Sequence, residues 1–139
     1  MHTKKIIEPE RQIDVIHETD VLVVGSGPGG LSAALASARC GVDTTLIERF
    51  GCFGGNITVV GVEGFAWYRH EKTIEAGGIG IEFENLAKEM GAAVPESQSL
   101  SYELDSEGFK LVADKLVLEA GIHHTQTADA VRRVLRPLY

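Results

Sequence analysis

Three glycines and one glutamate carry the chemistry that can be read directly from this sequence. Gly25, Gly27 and Gly30 stand in the order Gly-x-Gly-x-x-Gly within Gly25-Ser26-Gly27-Pro28-Gly29-Gly30, and Glu48 lies 18 residues beyond Gly30. This spacing suits a dinucleotide when a strand precedes it and a helix follows. The first glycine permits a tight turn, the second lets the backbone approach a pyrophosphate, and the third lets the helix press against the strand. The helix start then offers unpaired N–H groups and the positive end of its dipole to the phosphates. A carboxylate at the end of the next strand accepts hydrogen bonds from adenosine ribose hydroxyls. It would also repel a 2′-phosphate, which argues against NADP.

The elements that must position these residues are legible around them. Asp20-Val-Leu-Val-Val24 is an apolar, β-branched run, as expected of a parallel-sheet strand buried on both faces. Leu31, Ala34, Leu35 and Ala38 recur at i, i+3, i+4 and i+7, which predicts a helix closed by Gly41. Ala34 also extends the glycine pattern with a second small residue on the packing side. Thr44–Glu48 reads as the next strand. Strand, glycine turn, helix and strand make a βαβ unit, and the fold class is α/β.

Further along, residues 49–78 are rich in glycine and are expected to form a long, irregular, functional loop. Ile79, Phe83, Leu86 and Met90 follow helical spacing up to Gly91, and residues 92–104, with Pro95, read as a connector. Phe109, Val112, Ala113, Leu116, Val117 and Ala120 predict a third helix, capped by Asp105 and closed by Gly121. The last stretch, His123 to Tyr139, carries Arg132, Arg133 and Arg136, and Ala128, Val131 and Leu135 suggest a short amphipathic helix before Pro137.

Composition limits the alternatives. A chain of 139 residues, 44% hydrophobic and 24% charged, supports one domain with a core and excludes a disordered or collagen-like chain. Its formal charge of −7 is the wrong sign for a general binder of nucleic acid or anionic membranes. Apolar runs fall far short of a membrane span. The polar leader, residues 1–18, holds no apolar secretory core, and Ile13 and Val15 alternate with polar neighbours as in a short extended piece. Cys40 and Cys52 form neither a CxxC nor a metal-ligand cluster, so two reduced thiols in a cytoplasmic protein are expected, with no metal. His123 and His124 would point to opposite faces of a strand and are read as incidental. Arg69 and His70, beside Trp67, could hold a carboxylate and donate a proton, although a solvated loop explains them as well. These features do not separate FAD from NAD, since both use this unit, and a chain binding neither is a third alternative.

The stretch Asp20-Val-Leu-Val-Val-Gly-Ser-Gly-Pro-Gly-Gly30, with Leu46-Ile-Glu-Arg49 and Phe53-Gly-Gly-Asn-Ile-Thr58, resembles the N-terminal part of FAD-dependent oxidoreductases distantly similar to fumarate reductase flavoproteins. The Asp105 to Gly121 segment, ending Glu119-Ala-Gly121, is similar to a further helix of that family. The resemblance implies a partial Rossmann-like FAD-binding domain: a βαβ unit plus additional helices, truncated relative to the family. It implies FAD as cofactor, bound by Gly25, Ser26, Gly27, Pro28, Gly29 and Gly30, with Gly25, Gly27, Pro28 and Gly29 at the pyrophosphate. Glu48 and Arg49 would flank the adenosine ribose, and Gly54, Gly55, Asn56 and Thr58 would approach the ribityl or flavin end. The complete enzyme would transfer a hydride between flavin and a small molecule; no catalytic residue, substrate or oligomeric state is implied. The Gly54-Gly-x-x-Thr58 turn argues against an NAD-dependent dehydrogenase. The resemblance spans residues 13–122. After Ile122 the family's apolar strand is replaced by His-His-Thr-Gln, and the family's late Gly-Asp pair is absent. Residues 19–122 are therefore expected to be part of an FAD-binding domain and residues 123–139 a divergent basic tail, as a truncation or a shifted reading frame would give.

Overall fold

A computed structural model describes residues 10, 12, 14–65, 69, 70, 73, 74 and 77–126. The glycine motif lies where the sequence puts it, between β1 (Val21–Val24) and α1 (Pro28–Arg39), and β2 (Thr44–Glu48) follows. β1 and β2 are parallel, with Val21 opposite Thr44 and Val24 opposite Ile47. The helix between two parallel strands is the required crossover. Pro28 opens α1 with its φ already set for a helix and no N–H to lose. Leu31, Ala34 and Leu35 form its buried face.

The predicted long loop is more ordered than its glycine content suggests. It contains β3 (Gly64–Phe65) and a hairpin of β4 (Arg69–His70) and β5 (Thr73–Ile74). The connector after α2 (Ile79–Glu89) is likewise a pair of strands, β6 (Ala93–Pro95) and β7 (Tyr102–Leu104), and β3 completes a three-stranded antiparallel sheet on β7. These strands are two or three residues long, too short to show a period in the sequence.

The third predicted helix is α3 (Ser106–Glu119), where Asp105 accepts a hydrogen bond from the Glu107 N–H at 3.0 Å. Such a cap contributes about 1 kcal/mol. Phe109 sits at the centre of the core, edge-on to Phe65 and Phe83 at 6.2 and 6.1 Å between ring centres. Leu31, Leu35, Leu46, Phe53, Val112 and Val117 complete it. In α2 the buried positions are Phe83, Glu84 and Ala87, whereas Met90 is exposed. Glu84 is buried with its carboxylate 2.5 Å from Lys88 Nζ, one helical turn on.

Two expectations are corrected. β1 is not covered on both faces: Val23 faces the helices, while Leu22 is 45% and Val24 51% exposed on the other side. On that face Thr45 and Ile47 of β2 are buried, so it is β1, at the edge of the sheet, that lacks cover among the described residues. The chain also does not leave the fold at Ile122. β8 (His123–Gln126) adds a third parallel strand, Thr45 opposite His123 and Glu48 opposite Gln126, giving the order β1-β2-β8. The strand is polar, with His123, His124 and Thr125 exposed, and joins the sheet through its backbone pairing and the contacts of its two histidines. The helix predicted around Ala128–Leu135, the arginines 132, 133 and 136, and Trp67 lie outside the described residues.

Candidate dinucleotide site

The carboxyl ends of β1 and β2 and the start of α1 meet at one point. Gly25 has φ +91°, the left-handed region open to glycine, and its N–H donates to Ile47 O at 2.8 Å, continuing the β1–β2 ladder into the turn. A Cβ on Gly30 would fall 1.9 Å from Gly25 O. Only glycine lets the first turn of α1 rest on the end of β1. By contrast, a Cβ on Gly27 or Gly29 would meet nothing within 4 Å. The turn is thus tight behind and open in front.

The open side faces the N-terminus of α1. No side chain caps it, its first turn holds no acidic residue, and Leu31 supplies the first N–H bonded back, to Gly27 O at 2.9 Å. The Gly29 and Gly30 N–H groups precede that bond and have no carbonyl within the helix to accept them. A partial positive charge therefore faces the open space, as an anion requires.

Glu48 ends β2 and is 5% exposed. Its Oε2 accepts from the Ser26 N–H at 2.8 Å and the Ser26 hydroxyl at 2.6 Å. Its Oε1 accepts from the Phe50 N–H at 3.0 Å. Burial pushes the carboxyl up, but the Ser26 hydroxyl and the N–H groups of Phe50, Ser26 and Arg49 outweigh it and hold it below its ordinary value. Glu48 is thus an ionised acid tied to the glycine turn. Arg49 is exposed, its guanidinium 4.5 Å above the Phe50 ring.

The second glycine pair docks on the first turn. Gly54 N–H donates to Ser26 O at 3.0 Å, and Gly54 and Gly55 have φ of +112° and +57°. Thr58 is buried, and its hydroxyl donates to Phe53 O at 2.7 Å. Asn56 is exposed, and its carbonyl accepts from Val62 N–H at 2.9 Å. The structure thus brings Gly25, Ser26, Gly27, Pro28, Gly29, Gly30, Glu48, Gly54 and Gly55 into one contiguous site. Thr58 closes the turn from within. The Ser26–Glu48 contact is absent from the sequence reading, because two residues 22 apart show no spacing rule; a hydroxyl between two motif glycines is the only hint.

Other candidates separate. Arg69 and His70 lie on β4, away from the glycine turn in sequence and in sheet. His123 and His124 do point to opposite faces, His123 towards His17 and His124 towards Phe53, at 5.5 and 5.6 Å between rings. Among the described residues no cluster of His, Cys, Asp or Glu could hold a metal, and both cysteines are free. No described helix is long and apolar enough to cross a membrane.

A parallel βαβ unit with an open glycine turn, an uncapped helix start and an ionised acid at the end of the second strand defines the dinucleotide-binding class of α/β proteins. Residues 20–136 match the family model described as FAD dependent oxidoreductase, and the chain belongs to that family. FAD is the cofactor this membership assigns. The match runs past Ile122, where the resemblance was expected to stop, and takes in β8. Thiamine thiazole synthase of Metallosphaera sedula is 36% identical over 114 residues, 81% of this chain and 38% of that protein. The enzyme of the same name from Sulfolobus acidocaldarius is 35% identical over 116 residues, 82% of this chain and 40% of its own. The crystal structure of Thermovibrio ammonificans THI4 shares the fold, with a TM-score of 0.52 at 21% identity, covering 78% of this chain and 38% of that one. The chain spans about two-fifths of the length of the curated relatives it matches.

Proposed function

We propose that this chain is the N-terminal FAD-binding portion of a flavin-dependent oxidoreductase of the cytoplasm. In this reading the turn from Gly25 to Gly30 receives the pyrophosphate against the open face of Gly27, the Gly29 and Gly30 N–H groups and the dipole of α1. Glu48 receives the adenosine ribose, with Arg49 beside it. Gly54, Gly55, Asn56 and Thr58 shape the side towards the ribityl chain and flavin. Bound FAD would supply hydride transfer to or from a small-molecule substrate. The residues of this chain bind and orient; none is assigned as a catalytic acid or base. Residues 19–122 are read as the core of the portion. The relatives named thiamine thiazole synthases make a thiazole-forming enzyme the first activity to test in a protein of their length.

The observation that carries this reading is the asymmetry of the glycine turn. Gly30 has no room for a Cβ, whereas Gly27 faces open space at an uncapped helix start. With φ of −60°, Gly27 accepts a side chain without backbone strain. Gly27→Val is therefore expected to keep the helical circular dichroism of the wild type and to abolish FAD binding, followed by quenching of flavin fluorescence. Equal affinity in the two proteins would overturn the pyrophosphate assignment. The wild-type chain is expected to purify with less than one flavin per chain and without dye-reducing turnover, since it spans about two-fifths of its relatives.

A further inference from the structure

We propose that Ser26 does not address the ligand but is the positioning residue of the ribose-binding acid: it occupies Glu48 Oε2 and leaves Oε1 as the acceptor for a ribose hydroxyl. This rests on the assignment of Glu48 to the adenosine ribose.

Ser26 is fully buried, and both of its donors end on one oxygen, the N–H at 2.8 Å and the hydroxyl at 2.6 Å. A carboxylate oxygen has two lone-pair positions, so Oε2 is filled from within the chain. On Oε1 the Phe50 N–H takes one position at 3.0 Å. The backbone N–H groups of Ser26, Phe50 and Arg49 together fix the acid's place. The Ser26 hydroxyl is the one donor of these that a side-chain substitution can remove, and it lies closer to the carboxylate than the Ser26 and Phe50 N–H groups do. Charge-assisted bonds of this kind are about twice as strong as neutral ones, so its loss should both loosen the carboxylate and make it easier to protonate.

The other groups around that charge are, among the described residues, these. Opposite Glu48 on β8 stands Gln126, a neutral amide. His124, on the same face of β8, lies against Phe53. The first turn of α1 contributes no acid. In the segment after β2, Arg49 stacks on Phe50 and Cys52 Sγ lies 3.8 Å from Thr58 Oγ1.

The test measures ADP binding by calorimetry from about pH 3 to about pH 8 for the whole 139-residue chain, Ser26→Ala and Glu48→Gln. ADP's own titration is common to all three. Ser26→Ala is expected to weaken ADP about tenfold at pH 7, a loss at the lower end for one charge-assisted bond. It should also move the acid limb of the profile to higher pH, because the carboxyl protonates sooner. Glu48→Gln should weaken binding and abolish that limb. An equal loss at every pH, with the limb in its wild-type place, would mean that Ser26 only packs and would overturn the proposal while leaving Glu48 at the ribose. Unchanged binding and profile in Glu48→Gln, or no ADP binding by the wild type, would overturn the ribose assignment and the proposal with it. If Ser26→Ala does not fold, Ser26→Cys fills the same space with a weaker donor and is expected to shift the limb in the same direction.

Discussion

A Cβ on Gly55 would lie 2.6 Å from the Cα of Gly27 and 3.2 Å from its N atom. The second glycine pair therefore rests on the backbone of the first glycine turn, and the Gly54 N–H to Ser26 O bond holds it there. Gly55 also has φ +57°. Gly55→Ala is expected to destabilise the protein by about 2–4 kcal/mol: about 1 kcal/mol for a left-handed non-glycine residue and about 1–3 kcal/mol for displaced, well-packed backbone. Urea unfolding with an unchanged slope would measure it. A loss under about 0.5 kcal/mol, the scale of an ordinary surface substitution, would mean that the two turns are not in contact in solution.

The folded-state carboxyl of Glu48 lies below its ordinary value, so its contribution to stability has a defined pH direction. It is fully present above the unfolded value of about 4.3 and is lost as pH falls through the lower, folded value. Glu48→Gln replaces one acceptor oxygen by an NH₂ group facing donors. It should cost about 1–3 kcal/mol at neutral pH, and the gap from wild type should narrow as the wild-type acid is protonated. Chemical denaturation at a series of pH values checks this. A gap that stays constant from neutral to strongly acid pH would show that the ionised form of Glu48 does not stabilise the fold.

The glycine motif, α1, β2 and the Asp105 cap were legible because each is a local signal: a turn that excludes Cβ, a 3.6-residue period, an apolar β-branched run and a side-chain acceptor before a helix. β3, β6 and β7 were not legible, because strands of two or three residues take their stability from partners as far off as Gly64 and Glu103. β8 misled for another reason. His123 to Gln126 show none of the apolar character expected of a parallel strand, and the backbone pairing with Thr45 to Glu48, distant in sequence, places them. The exposed side of β1 reverses that error: an apolar run signals burial on both faces, while the described residues cover only one. In the site itself residue types were legible but contacts were not, as the links from Ser26 to Glu48 and from Gly54 to Ser26 show.

α1 and α2 are joined at the surface by Arg39 and Glu82, whose two nitrogen–oxygen contacts measure 2.7 and 2.5 Å. The Glu82 hydrogen bond raises the Arg39 pKa, and the Arg39 hydrogen bond lowers that of Glu82. Both side chains are about 40% exposed, so water and salt screen the pair. Arg39→Ala should therefore cost less than about 1 kcal/mol despite the paired geometry. The coupling in a double-mutant cycle with Glu82→Gln should shrink between low and high salt. A coupling above about 2 kcal/mol that salt leaves unchanged would show that the two helices exclude water around the pair.

Thr45 occupies the middle strand of the sheet, between Leu22 on β1 and His123 on β8. Its Oγ1 is buried and has no hydrogen-bond partner among the described residues. Val is close to Thr in shape, shares its β-branch and its preference for strands, and removes the unpaired group. The backbone ladders on both sides of β2 are unaffected by the exchange. Thr45→Val should therefore raise stability by about 1 kcal/mol, the lower end of the cost of leaving a buried polar group unpaired. The urea midpoint should rise at constant slope, and the β1–β2–β8 register should keep its amide protection. A loss of stability instead would reveal a partner for Oγ1 in solution and would place a polar contact on the side of the sheet where Leu22 and Val24 stand exposed.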